Sequence, residues 1–458
     1  VQLVSGRRGG GRGPTKWAFA KARWDGFREE AARRFTSWSA DEFKSVDAAA
    51  AAFVFQVLAA ARGLPRGARR RTKSWWTPGC SEALEGLRAA ERRLRERPSE
   101  AAAAERRRAK EEAERTFAAA KQETWEAFVR ELDPDTPSSR VWGVIRSLNG
   151  QTRSPLPDVP LVHEGRRATT PRAKANLAMA VYAAVSRVQV PRAVSKVARE
   201  SVRSALRRPG AAGPEEAPFG LAELSRALAS AKGRAEGPDE VPPQLLERLP
   251  LEGLSALLQL LNRSMREGRV PAAWRRANIV PAHKTGKAEC EARSFRPISL
   301  LSVVGKLLES MLAARMATWA EGRGHLPEEQ AGFRAGRSTS DYLVSLAQRA
   351  FDRLQQRPAE RSLITAVDLR AAFDRVYRGR LLERLANLGL PRSWLRWTRA
   401  FLSDRRARVR WERAVSRWRV VKDGVPQGSP LSPLLFVLYT APLLREVREA
   451  APVRVHAY

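Results

Sequence analysis

The rhythm of apolar positions changes several times along the chain. From Thr15 to about Leu64, Trp17, Phe19, Trp24, Phe27, Phe35 and Trp38 punctuate charged residues at intervals that fit amphipathic helices, with the rings as core anchors. Ala, Glu and Arg dominate 81–132, and all three favour helix. Only Pro98 interrupts that stretch, so two consecutive helices are predicted there. Six prolines between Pro134 and Pro171 make 133–172 loop-rich; helical text resumes over 173–208, and RRPGAAGPEEAP (207–218) marks a boundary. After Phe219, sharply bounded helices alternate with short strands, which predicts an α+β domain. The expected organisation is a flexible basic linker over 1–14 (GRRGGGRGP), a mostly helical region over 15–217, and an α+β domain over 218–458.

Within that last domain the pattern becomes chemically suggestive. In SLITAVDLRAAFDRV (362–376), Leu363, Ile364, Ala366 and Val367 read as a buried strand ending in Asp368, followed by a turn and a helix beginning near Arg378. A carboxylate at the end of a buried strand suits a hard cation such as Mg²⁺, and the Leu369 carbonyl could add an oxygen. A helix N-cap and a core Phe373 are the bland alternative. In VKDGVPQGSPLSPLLFVLYTAPLLREV (421–447), Gly424, Pro426 and Gly428 force a tight entry to a helix capped by Ser429 or Ser432. Gly428 leaves room for a nucleotide at the backbone. Upstream, ANIVPAHK reads as a strand before a Lys/Gly loop, and FRPISLLSVVGKLLES and LPEEQAGFRAGRSTSDYLVSL follow. Val453, Val455 and Ala457 alternate with Arg454, His456 and Tyr458 as a strand would.

Composition then narrows the partner. Hydrophobic residues make up 43%, enough for a core, while 83 Lys+Arg against 49 Asp+Glu give a formal charge of +34. Self-repulsion of that size calls for a polyanion, and nucleic acid releases counterions when its phosphates are neutralised. RGARRRTKSWWTP (66–78) sets Arg and Lys beside Trp75 and Trp76, which suits either phosphate contact with stacking or two buried anchors. No run approaches the ~20 uninterrupted apolar residues of a spanning helix, so no membrane partner is expected. Cys80 and Cys290 are the only cysteines and four His are present, without zinc spacing; reduced, intracellular thiols are expected.

The four blocks, in this order over roughly 270–458, resemble the fingers and palm of reverse transcriptases from LINE-type (non-LTR) retrotransposons, with an ingi-like lineage as the nearest guess. The resemblance implies right-hand polymerase fingers and a partial palm with an antiparallel sheet. It implies that Asp368, with the Leu369 carbonyl, binds metal and that Phe373 is the gate against a ribose 2′-OH. Gln427 and Gly428 would line the nascent base pair, and Arg334 and Arg337 would contact phosphate. Lys284, Arg296 and Tyr458 would touch nucleic acid. RNA template, DNA primer, dNTPs and two Mg²⁺ ions follow as partners, in an intracellular ribonucleoprotein. Tyr458 matches the first residue of the family's Tyr-Ala-Asp-Asp motif, so the chain reads as a fragment, inactive by itself, and Val1 in place of Met agrees. A basic RNA-binding module without chemistry and a viral-type RNA-dependent RNA polymerase are the rival readings.

Overall fold

The computed structural model describes residues 17–66, 75–97, 99–133, 159–208, 213–231, 235–358 and 363–450, with isolated positions between them. The 1–14 linker, the basic loop 67–74 and the strand expected over 453–458, Tyr458 included, lie outside the described residues. The chain divides into two compact units, one of residues 1–21 and 65–157, the other of 22–64 and 158–458. This division does not follow the boundary expected near 217.

The first unit is built on the predicted helical pair, α3 (Pro78–Glu96) and α4 (Glu100–Arg130), which follows α1 (Trp24–Phe35) and α2 (Val46–Ala60) of the other unit in chain order. Ser99 caps α4 by accepting from the Ala102 amide at 3.2 Å. Trp75 is buried with Cys80 and Ala120, and Trp76 packs on Phe117 at 5.2 Å while donating to Ser81 Oγ at 2.8 Å. The paired tryptophans are therefore core anchors.

The second unit takes in the N-terminal aromatic stretch because its helices complete a core. In α1 (Trp24–Phe35) and α2 (Val46–Ala60), Phe27, Phe35, Phe53 and Val57 are buried. α2 is long and apolar enough to cross a membrane by length and composition, yet it packs in this core beside α1 and α9 (Leu251–Glu267). The Arg263 side chain of α9 is buried, bonded to the Ala40 carbonyl and paired with Glu267 at 2.7 Å. The Pro-rich loop contains a short hairpin that the sequence pattern did not reveal, β1 (Leu161–His163) with β2 (Arg166–Ala168). Then come α5 (Pro171–Val185), α6 (Arg192–Arg207), α7 (Leu221–Ser230) and α8 (Pro243–Glu247).

A mixed sheet forms the centre. Its strands are β3 (Arg276–His283), β4 (Phe295–Leu300), β5 (Arg406–Trp411), β6 (Ala414–Val415) and β7 (Arg419–Val420). The order is β4-β3-β5-β6, with β7 also on β5. β3 runs antiparallel to β4, whereas β3 and β5 are parallel, so the expected antiparallel sheet is corrected to a mixed one. A parallel neighbour needs a long crossover, and α10 (Val303–Gly322), α11 (Thr339–Leu354), α12 (Arg378–Asn387) and α13 (Arg392–Leu402) lie between β4 and β5. α14 (Ser432–Ala450) closes the described chain. β5 shows strict alternation: Ala407, Val409 and Trp411 are buried, while Arg406 and Arg410 are exposed. α5 packs on this strand, and Trp411 meets Phe295 edge-on at 5.4 Å.

One expectation fails. Residues 363–369 form no strand, and Leu363 and Val367 are 94% and 82% exposed. A strand exists only where a neighbour takes its N–H and C=O groups. Among the described residues none lies beside this run.

Candidate active site

The turn before α14 is held by main-chain bonds on two sides. Gly424 N donates to Val376 O and Val425 N to Phe373 O, both at 2.8 Å, which fastens the turn to the segment preceding α12. On the other side Ser299 N, in β4, donates to Gln427 O at 2.8 Å. Two glycines make this approach possible. At Gly424 (φ +81°) a Cβ would lie 2.6 Å from Asp374 O, and at Gly428 (φ +122°) one would lie 2.5 Å from Ser299 O. Gly428 is exposed.

Arg378 bolts the same turn from below. Its buried guanidinium donates to the carbonyls of Gly424 and Val421 at 2.9 Å and of Asp423 at 3.2 Å. Asp423 ties the turn to α5, its N–H donating to Ser186 O at 2.9 Å and its carboxylate accepting from Val188 N at 3.3 Å. Fork geometry is what lets one side chain satisfy three carbonyls.

Above the turn lie three rings. Phe373 stacks on Phe436 of α14 at 5.1 Å and meets Phe333 edge-on at 6.0 Å. Gln427 donates its amide Nε2 to Asp374 Oδ2 at 2.9 Å. Burial pushes the Asp374 carboxyl up to about 6, against the Gln427 hydrogen bond and the positive charge of Lys284, which both pull it down. Asp374, Gln427, Ser299 and Tyr182 border a cavity of about 50 Å³ behind the turn. That is far below the ~300–1,000 Å³ of a ligand pocket, so the cavity is a packing feature. Burial, seconded by the Asp374 charge, raises the Tyr182 hydroxyl well above its ordinary range.

Of the residues singled out from sequence, Phe373, Gln427 and Gly428 come together here. Lys284 is close enough to act on Asp374, and its Nζ donates to Arg293 O at 2.9 Å. Arg296 is exposed on β4. Arg334 is committed elsewhere: its fork pairs with both Glu321 oxygens at 2.6 Å and with Pro327 O, and this holds the Glu321 carboxyl below its usual range. Arg337 donates to Glu328 O at 2.6 Å. Asp368 and Leu369 are exposed on the irregular run before the turn at Arg370. Sequence reasoning missed Asp374, Phe333, Phe436, Arg378 and Asp423. The signal for Asp374 was available, since it directly follows Phe373; nothing distinguished Arg378 among so many arginines.

Residues 282–458 match the reverse transcriptase (RNA-dependent DNA polymerase) family. The C-terminal half of the chain is similar to the reverse transcriptases of LINE-like non-LTR retrotransposons. It is 34% identical over 227 residues to the "Probable RNA-directed DNA polymerase from transposon BS" of Drosophila melanogaster, covering 49% of this chain and 25% of that protein. It is 31% identical over 208 residues to the RNA-directed DNA polymerase from mobile element jockey of the same fly, covering 45% and 22%. A 115 kDa protein of the type-1 retrotransposable element R1DM aligns with 96% of this chain at 28% identity, which is 41% of its own length. The chain thus spans about a quarter of the first two relatives.

Proposed function

We propose that this chain supplies the fingers and part of the palm of an RNA-directed DNA polymerase, acting on an RNA template, a DNA primer and dNTPs. The observation that carries the reading is the meeting of four separate motifs at one turn: Phe333, Phe373, Gln427–Gly428 and Ser299. The reaction would be nucleotidyl transfer, a primer 3′-OH displacing pyrophosphate from a dNTP, where catalysis comes from positioning and charge stabilisation. Phe373, held between two rings, is stiff enough to refuse a 2′-OH by bulk. Gln427, with its amide fixed on Asp374, presents one orientation to a base pair.

The family generally uses divalent metal ions. Asp368 is a suitable hard ligand, but among the described residues no three His, Cys, Asp or Glu side chains gather to hold an ion. The described donors do not complete a metal site, and no step is routed through one. In a ribonucleoprotein the basic surface would serve the RNA.

The test is primer extension on an RNA template, using the chain joined to the continuation its longer relatives possess, with and without Asp368→Ala. Extension should fall by about 10³-fold or more, as for loss of a metal ligand. Stability should move by less than ~0.5 kcal/mol, because Asp368 is exposed. Undiminished extension by Asp368→Ala would overturn the assignment.

A further inference from the structure

We propose that the outward face of β3 and β5, with Trp418, is a phosphate-binding strip for single-stranded RNA, separate from the turn at Gln427–Gly428. Alternation creates it. Ala277, Ile279 and Ala407 point to the side bordering the small cavity with Tyr182 of α5, so Arg276, Asn278, Arg408 and Arg410 point the other way. The parallel register sets Asn278 beside Arg408 and Arg276 beside Arg406.

Trp418 orders the cations. The guanidinium of Arg408 lies 4.6 Å from its ring centroid and that of Arg276 5.7 Å. Arg408 also donates Nε to Asn278 Oδ1 at 2.8 Å. The guanidiniums are thus arranged before any ligand arrives, and less side-chain freedom is lost when a phosphate binds.

What is missing is acid. Several other arginines in this unit have carboxylate partners: Arg315 with Glu223, Arg334 with Glu321, Arg263 with Glu267. Among the described residues Arg276, Arg408 and Arg410 make no ion pair, and Glu412 is the only acidic residue between Arg405 and Lys422. Like charges on neighbouring strands repel, so such a row is tolerated best beside a polyanion. Arg408 and Arg410 are spaced by ~6.6 Å along the strand, as alternate strand residues must be. Ile298 and Val420 are exposed on the same face and offer apolar contact to unpaired bases, which a duplex would withhold.

The choice of RNA rests on the function proposed above; the strip itself does not. The probe is a fluorescent 20-nucleotide single-stranded RNA, read by anisotropy across a salt series with the whole chain. Arg276→Gln/Arg408→Gln/Arg410→Gln should reduce the log–log salt slope by about 2, at roughly 0.7 per lost phosphate contact. Trp418→Ala should weaken binding while Trp418→Phe retains it. An equal-charge control on α6, Arg199→Gln/Arg203→Gln/Arg207→Gln, should change the slope by less than half as much. Arg410→Gln alone, at an exposed position where folding is not at stake, should still lower the slope by about 0.7. An unchanged slope in Arg410→Gln, a control that weakens binding equally, or duplex RNA competing as well as single strands would each overturn the strip. Binding is read without catalysis, so strip binding together with no primer extension by the joined chain sinks only the polymerase reading.

Discussion

Replacing Asp374 by Asn should stabilise the chain near neutral pH and should do so less in acid. The carboxyl is half-buried and accepts from the Gln427 amide at 2.9 Å. Burial raises it from 3.8 to about 6. The sign follows from linkage: a raised carboxyl means that the folded state resists ionisation, so the charge opposes folding above pH 6 and that cost fades as pH falls towards 4. With those two values the cost is about 3 kcal/mol at pH 7 and about 1 kcal/mol at pH 4.5. Asn carries no charge and keeps an oxygen to accept from Gln427. Urea unfolding of Asp374→Asn and the unaltered chain, at pH 7 and pH 4.5, should give a gain that shrinks by about 2 kcal/mol between the two. An equal gain or a loss at both values would refute the buried, ionised carboxylate, and would mean that the Gln427 contact outweighs desolvation.

Other expectations bear on neighbouring parts. Gly428→Ala should destabilise by roughly 1–3 kcal/mol, since its Cβ meets Ser299 O at 2.5 Å in a backbone conformation Ala avoids, whereas Gly63→Ala, with open space around it, should be near neutral; equal thermal midpoints for the two would contradict this. Phe373→Val in an extending polymerase should raise ribonucleotide use relative to deoxynucleotide, and an unchanged selectivity ratio would make Phe373 a packing residue only. Arg334→Gln should cost about 1 kcal/mol at pH 7, because it breaks a two-pronged pair, and less as acid titrates Glu321 through its lowered range; a loss that does not change with pH would show that the Pro327 contact dominates.

Much of this was legible in the chain because local chemistry decides it. Pro98 split the long helix, β3 followed the apolar text of ANIVPAHK, and Gly424, Pro426 and Gly428 announced a turn before α14. The apolar run 363–367 misled for a non-local reason: its pattern fits a strand, but a strand also needs a partner, and pattern alone cannot supply one. The parallel pairing of β3 with β5 was equally hidden, since register is settled by contacts across more than a hundred residues. Asp374 and Arg378 escaped notice because their importance lies in burial, which composition conceals.

The anchoring of the Gly424–Gly428 turn also sets an order of events during synthesis. Asp423 accepts from Val188, 235 residues earlier, and the same turn bonds to Ser299 and Phe373. At roughly 5–20 residues per second, a ribosome needs about 10–50 s to travel from one end of that bond to the other. Through that interval α5 and the β3–β4 hairpin have emerged with their inner faces uncovered. The site is therefore among the last parts of the unit to close, and a nascent chain arrested before the turn emerges would present those faces to chaperones or to other chains.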